Sequence, residues 1–404
     1  MRTITGNQVD IGGYRLSARS IWVLALIVFA VTRISSLPLS LDFRQDEVLY
    51  YNWALLIQDG SFPVGDSQYQ YPPGAGLLFL GIELLPGTFH RAFMLSAIVA
   101  DIAIFALLLF RVGRHADSWR GPWAWIACGA LVGHILYERF DVFTALLVVL
   151  ALLLVSRPVI SGALIGVGAM IKIWPIFVLF AVRRDQLLKA LVGVLVGVLA
   201  VLVFVLVTAG NALSFLTGQS GRGLQLEASL AAPLLIAAQL GLLPVESVDR
   251  FGSTELEAAY AGGIAWFGIA IAIMLLFVLV VQRFRGRLEM IPGTDVALAV
   301  LLVFVAFNRV NSPQFFIWVA AVAAVAMLNR RSRMVVPVVL AFASMLPFAQ
   351  YITDYYWALQ TQTPESVTLQ VIRSVLAVAS AVLASWFVIS GRPYRDKGST
   401  MANT

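Results

Sequence analysis

Charge is scarce in this chain. Only 12% of its 404 residues are Asp, Glu, Lys or Arg, and 60% are hydrophobic. A soluble domain carries about twice that share of charge, so an ordinary soluble enzyme is excluded. Cysteine is nearly absent. The lone Cys128 lies in an apolar run, rules out an intrachain disulfide and gives no redox argument. The three histidines, His90, His115 and His134, show no metal-ligand spacing, and Asp-x-Asp is missing, so no metal is indicated. There is no Gly-x-x-x-x-Gly-Lys phosphate loop and no dinucleotide fingerprint. No cofactor is expected. No tandem repeat, soluble domain, linker or low-complexity tract breaks the chain, which reads as a single transmembrane domain over residues 1–404.

Long apolar runs are what the chain has instead. They fall at 20–38, 90–110, 122–137, 142–155, 159–171, 174–182, 187–208, 258–281, 293–307, 313–328, 334–352 and 366–389. A bilayer crossing takes about 20 residues of helix. The pattern predicts an all-α integral membrane protein with about twelve spans. Runs 159–171 and 174–182 are short and meet at Lys172. Short elements at membrane depth are tolerated only where protein or a water-filled cavity covers them. A cavity is therefore expected there.

The basic residues orient the bundle. If the spans alternate, Arg2, Arg15/Arg19, Arg111/Arg114/Arg120, Arg157, Arg183/Arg184/Lys189, Arg283/Arg285/Arg287, Arg330/Arg331/Arg333 and Arg392/Arg395/Lys397 share one side, 19 of the 28 Lys and Arg. The positive-inside rule makes that side cytoplasmic and places both termini there. No small-residue cleavage site closes the first span, so no cleaved signal is expected. The net charge of +6 is accounted for by this bias, and a nucleic-acid partner is not expected. The opposite face collects the two long loops, roughly 39–89 and 209–257, and most carboxylates. Loops this long in a compact protein are usually functional, so chemistry is expected on the external face.

The densest polar stretch is 42–76. It runs Asp42-Phe-Arg-Gln-Asp46-Glu47-Val-Leu-Tyr50-Tyr51-Asn-Trp53-Ala, then Asp59-Gly60-Ser-Phe-Pro63-Val-Gly-Asp66, then Tyr69-Gln-Tyr71-Pro72-Pro73-Gly74-Ala-Gly76. Rings stack on sugar C–H faces while carboxylates take hydroxyls. The alternative is an interfacial aromatic belt.

An Asp shortly before Tyr-Tyr-x-Trp-Ala, then Gly-x-x-Pro-x-x-Asp and Tyr-Pro-Pro-Gly-Ala-Gly, resembles the first external loop of bacterial glycosyltransferase family 87. Further matches follow in order: Arg139-Phe140-Asp141, Lys172-Ile-Trp174-Pro175, Gly221-Arg222-Gly223-Leu224-Gln225-Leu226-Glu227-Ala-Ser229, and Asn308-Arg309-Val-Asn-Ser312-Pro313-Gln314-Phe-Phe-Ile-Trp318. The family belongs to the GT-C superfamily. The resemblance implies a GT-C type bundle with external juxtamembrane helices, and a polyprenyl-phosphate sugar donor. It implies inverting transfer of a hexose, mannose by analogy, to a lipid-linked glycan of an actinobacterial-type cell envelope. The rivals are a related transferase using polyprenyl-phosphate arabinofuranose or glucose, and a lipid or solute transporter. The chain departs from the pattern in having Glu47 directly after Asp46.

Transfer to a hydroxyl needs a general base within hydrogen-bond reach and cations on the leaving phosphate. Asp46 is the expected base, with Glu47 and Asp66 as alternatives, Tyr50, Tyr51 and Trp53 as sugar-site walls, and the Tyr71-Pro72-Pro73 turn as a lid over the substrate. The expected substrate-binding ions are Lys172, Arg139, Asp141, Arg222, Glu227 and Arg309. Each has a bland alternative. Lys172 can snorkel to the interface. Arg139 and Asp141 can pair with each other. Arg222 and Glu227 can cap an amphipathic helix running to about 243, and Arg309 opens a turn and helix start. Asp101, mid-span, is expected to pair within the bundle, and His134 to be a core residue.

Overall fold

The computed structural model describes residues 8–11, 14–37, 45–63, 66, 68–115, 117–208 and 222–391. Arg2, Asp42, Gly221 and the Arg392/Arg395/Lys397 cluster lie outside the described residues. The apolar runs become helices. An antiparallel pair, β1 (Gln8–Ile11) and β2 (Tyr14–Ser17), precedes α1 (Ala18–Ile34). Two helices follow before the next long one: α2 (Gln45–Gln58) and α3 (Pro73–Glu83). Then come α4 (Phe89–His115), α5 (Arg120–Val132), the single turn α6 (Ile135–Glu138), α7 (Asp141–Leu153) and α8 (Pro158–Ile171). A 3-10 helix at Trp174–Ala181 separates α8 from α9 (Leu187–Thr208).

Beyond residue 221 the chain forms β3 (Leu224–Gln225), a 3-10 turn at Ser229–Ala231, α10 (Ala232–Gln239), β4 (Val245–Arg250) and β5 (Ser253–Ala258). The C-terminal helices are α11 (Ala261–Phe284), α12 (Gly293–Phe307), α13 (Phe315–Leu328), α14 (Val335–Ala343), α15 (Leu346–Gln360) and α16 (Pro364–Ile389). Four helices, over 89–114, 184–207, 261–284 and 364–389, are long and apolar enough to cross a membrane by length and composition. The described residues are helical but for two small antiparallel sheets, the β1–β2 pair and strands β3, β5 and β4 in that order. The helix to about 243, the alternative setting for Arg222 and Glu227, is only the eight residues of α10. It stops before Gly241, which takes the left-handed conformation with φ 66°.

Helix α13 is the centre of the bundle. Every one of its residues is buried, and it packs on α5, α7 and α12. Its sequence is apolar all round, as a helix buried on every side requires. Helices α8 and α9 pack closely through small residues. A Cβ on Gly162 or Gly166 would lie 2.0 and 2.4 Å from the carbonyl oxygens of Ala190 and Val194. Gly193 and Gly197 meet Val159 and Ala163 in the same way, at 2.1 and 2.3 Å. Small residues let helix backbones approach in a membrane, where packing supplies the attraction.

A buried ion pair ties the first part of the chain together. Arg33 on α1 gives two hydrogen bonds to Asp101 on α4, at 2.9 and 3.2 Å. Trp125 Nε1 and Tyr137 Oη donate to the same carboxylate at 2.7 and 2.9 Å. Arg33 also donates to the carbonyls of Trp125 and Ile126. Asp101 is thus paired within the bundle, and every strong donor around it is satisfied, as a buried charge requires.

Candidate functional site

A cavity of about 1100 Å³ opens among α2, the 69–72 turn, α6, the α8 end, β3, the β4–β5 turn and the 308–315 segment. It gathers residues far apart in sequence. Asp46, Tyr71, Arg139 and Lys172 line it, and so do Arg222, Glu227 and Arg309. Asp141, Glu47, Asp66 and Tyr51 do not.

Asp46 sits in the first turn of α2, where a carboxylate also opposes the positive helix end. Its Oδ2 lies 2.5 Å from Arg139 Nη2, and about a third of its side chain stays exposed (31%). Helical geometry turns the next side chain about 100° away. Glu47 accordingly points into the protein and bonds His90 of α4. Asp66 is outside the cavity, accepting from Trp53 Nε1 at 2.7 Å and from its neighbour Gln68 N at 2.8 Å. Tyr51 packs on Phe89 with ring centroids 5.5 Å apart. Asp46 is therefore the one of the three candidate carboxylates that faces the cavity.

The alternative of an Arg139–Asp141 pair is not what forms. Arg139 goes to Asp46, and Asp141 accepts from Lys172 Nζ at 2.7 Å. Trp318 Nε1 donates to the same Asp141 oxygen. The exchange follows from backbone shape: Arg139 is extended (φ −107°, ψ 139°) between α6 and α7, while Asp141 starts α7 facing inward and fully buried. Lys172 is extended too, at the end of α8, and its ammonium lies 4.6 to 5.9 Å from the ring centres of Phe140, Trp318, Tyr71 and Phe315. Cation–ring contacts of this kind stabilise a desolvated ammonium. Gly74 makes the approach of the 69–76 turn possible, since a Cβ there would meet the Met170 carbonyl oxygen at 2.4 Å.

Two arginines occupy the other wall. Arg222 donates from Nη2 to the Phe251 carbonyl at 3.1 Å. It forms no ion pair among the described residues, and its buried Nε has no acceptor. Arg309 Nη1 donates to the Arg222 carbonyl at 2.9 Å, and Gln225 N donates back to the Arg309 carbonyl at 2.9 Å. Neither residue caps a helix. Gln225 locks the two segments, giving Nε2 to Ser312 Oγ and Glu227 Oε2 while its Oε1 accepts from Asn311 N. Burial raises the Glu227 carboxyl to about 7, against the opposing pull of Arg373 and Arg139. Phe251 and Gly252, both with positive φ (53° and 69°), turn β4 into β5 at the cavity rim.

Residues 69–242 match the model of glycosyltransferase family 87. Over that stretch the chain is similar to the family. No curated protein matches it. The family 87 match, the four apolar spans and the resemblance carried by five ordered motifs agree on a GT-C type membrane glycosyltransferase. Sequence reasoning did not assign several lining residues to the site. Glu138 and His134 line the cavity beside Asp46 and Arg139, and Tyr356 and Trp357 line it from α15. Glu138 directly precedes the quoted Arg139-Phe140-Asp141 motif, which was the available signal. Nothing local marks Tyr356 or Trp357, because the hairpin brings α15 to the site: Thr254 Oγ1 and Tyr356 Oη share a hydrogen bond of 2.7 Å.

Proposed function

We propose that this glycosyltransferase moves a hexose, mannose in the first instance, from a polyprenyl-phosphate sugar to a lipid-linked envelope glycan at the external face of the cell membrane. The single observation that carries this reading is the cavity that joins a cavity-facing carboxylate, Asp46, to a wall of cations, Arg222, Arg309 and Lys172. Asp46 takes the proton of the acceptor hydroxyl. The acceptor oxygen forms its bond to the anomeric carbon while the bond from that carbon to the phosphate oxygen breaks, and the electron pair leaves with the polyprenyl phosphate. One displacement inverts the anomeric centre. Arg222 and Arg309 receive the phosphate charge that builds on the leaving group. Arg139 orients Asp46, and Lys172, held by Asp141, presents its remaining N–H groups to the same cavity. About twelve membrane crossings, both termini in the cytoplasm and one domain over 1–404 complete the reading.

Asp46→Asn tests it. The change preserves shape and removes the base, so transfer from polyprenyl-phosphate mannose to envelope lipids falls by at least about 10²-fold. Glu47→Gln, which alters a buried contact to His90, costs far less. Near-wild-type turnover by Asp46→Asn overturns the assignment.

A further inference from the structure

Among the described residues, the cavity holds buried polar atoms that no protein group satisfies. Glu138 is 7% exposed and its Oε1 is buried without a hydrogen-bond partner. Its other oxygen lies 3.8 Å from His134 Nε2, beyond hydrogen-bond range. Across the Asp46–Arg139 pair, the Tyr50 hydroxyl is also buried with no partner. Both residues line the cavity. Buried polar groups are nearly always bonded, and one left unbonded at a cavity wall waits for a ligand atom. We propose that Glu138 is a specificity residue of this transferase, recognising a hydroxyl of the transferred or accepting sugar next to Asp46.

The chemistry selects a hydroxyl. Burial, with smaller contributions from the nearby carboxylates Glu47 and Asp46, raises the Glu138 carboxyl to about 9; Arg139 pulls the other way. His134, on the preceding turn, faces the other Glu138 oxygen from 3.8 Å. Arg139 itself is committed to Asp46. At pH 7 Glu138 is therefore neutral, with one O–H to give and one oxygen to accept. A sugar hydroxyl also both gives and accepts. A phosphate offers only acceptors, and the free guanidinium edge of Arg222 suits it better. A site built to bond a hydroxyl rejects the analogue lacking it far more strongly than an apolar wall does.

The inference rests on the proposed transferase reading, and two measurements separate their fates. In transfer assays with polyprenyl-phosphate mannose, glucose and their deoxy analogues, Glu138→Gln retains a donor and an acceptor and stays within about threefold of wild type, whereas Glu138→Leu raises KM by about tenfold or more with a smaller change in kcat. Wild type loses rate as pH rises through about 9, and Glu138→Gln does not. An unchanged KM in Glu138→Leu, or an inactive Glu138→Gln, overturns the proposal. The second measurement needs no turnover. Infrared spectra at pH 7 should show a protonated-carboxyl band that Glu138→Gln removes and that methyl glycosides shift in the wild type. If wild type accepts none of the donors, the transferase reading fails while the infrared band still decides Glu138. Absence of that band sinks the Glu138 assignment alone.

Discussion

At the scale of single residues, the site is a set of choices between partners. Asp46 and Glu47 are neighbours with opposite fates, one cavity-facing and one bonded to His90. That divergence was legible, because an α-helix turns consecutive side chains apart. The exchange of partners between Arg139 and Asp141 was not. It depends on how α2 and the end of α8 arrive, which no local spacing encodes. Glu227 gives a test at this scale. Its carboxyl titrates near 7 in the fold and near 4.5 when unfolded. Between those values the folded state binds more protons, so unfolding free energy falls as pH rises. The contribution is fully present below about 4.5 and lost by the time pH passes 7. Glu227→Gln should flatten this slope, with its melting temperature gaining on wild type as pH climbs from 5 to 8. Parallel curves for the two proteins would show that Glu227 does not hold a proton in the fold.

At the scale of elements, the helices were readable from their apolar runs and the sheet was not. Strands β4 and β5 contain few β-branched residues, namely Val245, Val248 and Thr254, and many charges, so they read as a solvated loop. The legible signal was two six-residue segments separated by Phe251-Gly252, the length of a two-residue hairpin turn. That hairpin matters because its turn holds Arg222 through the Phe251 carbonyl. The α8–α9 contact predicts a second outcome. Gly166→Leu forces a side chain against the Val194 carbonyl and should separate the helices. Because α8 delivers Lys172 to the cavity, thermal stability in detergent and activity should drop together. Gly81→Ala on α3, where an added Cβ meets nothing within 4 Å, is the matched control and should leave both intact. A Gly166→Leu protein as stable as wild type would remove the close contact as a stabilising feature.

At the scale of the whole molecule, basic residues far apart in sequence come together. Arg111, in the last turns of α4, and Arg330/Arg331, just after α13, border one common cavity of about 640 Å³, so the C-terminal ends of these two helices bring the clusters together. Sequence charge predicts that end to be cytoplasmic. Single cysteines at Glu246, exposed on β4, and at Arg331, in a Cys128→Ala background, test it. In intact cells an impermeant thiol reagent should label position 246 and spare 331 until lysis. The reverse pattern would invert the membrane orientation and move the reaction cavity inside.

The Arg33–Asp101 pair also bears on how such a protein is made. Its partners are 68 residues apart, so a growing chain presents the guanidinium well before the carboxylate exists. An ionised side chain left in hydrocarbon is costly, and α1 is mildly apolar apart from it. We expect α1 to hold a stable place in lipid only together with α4 and α5: chains ending before Asp101 should be extracted from membranes by alkaline carbonate, and chains carried past Val132 should resist it.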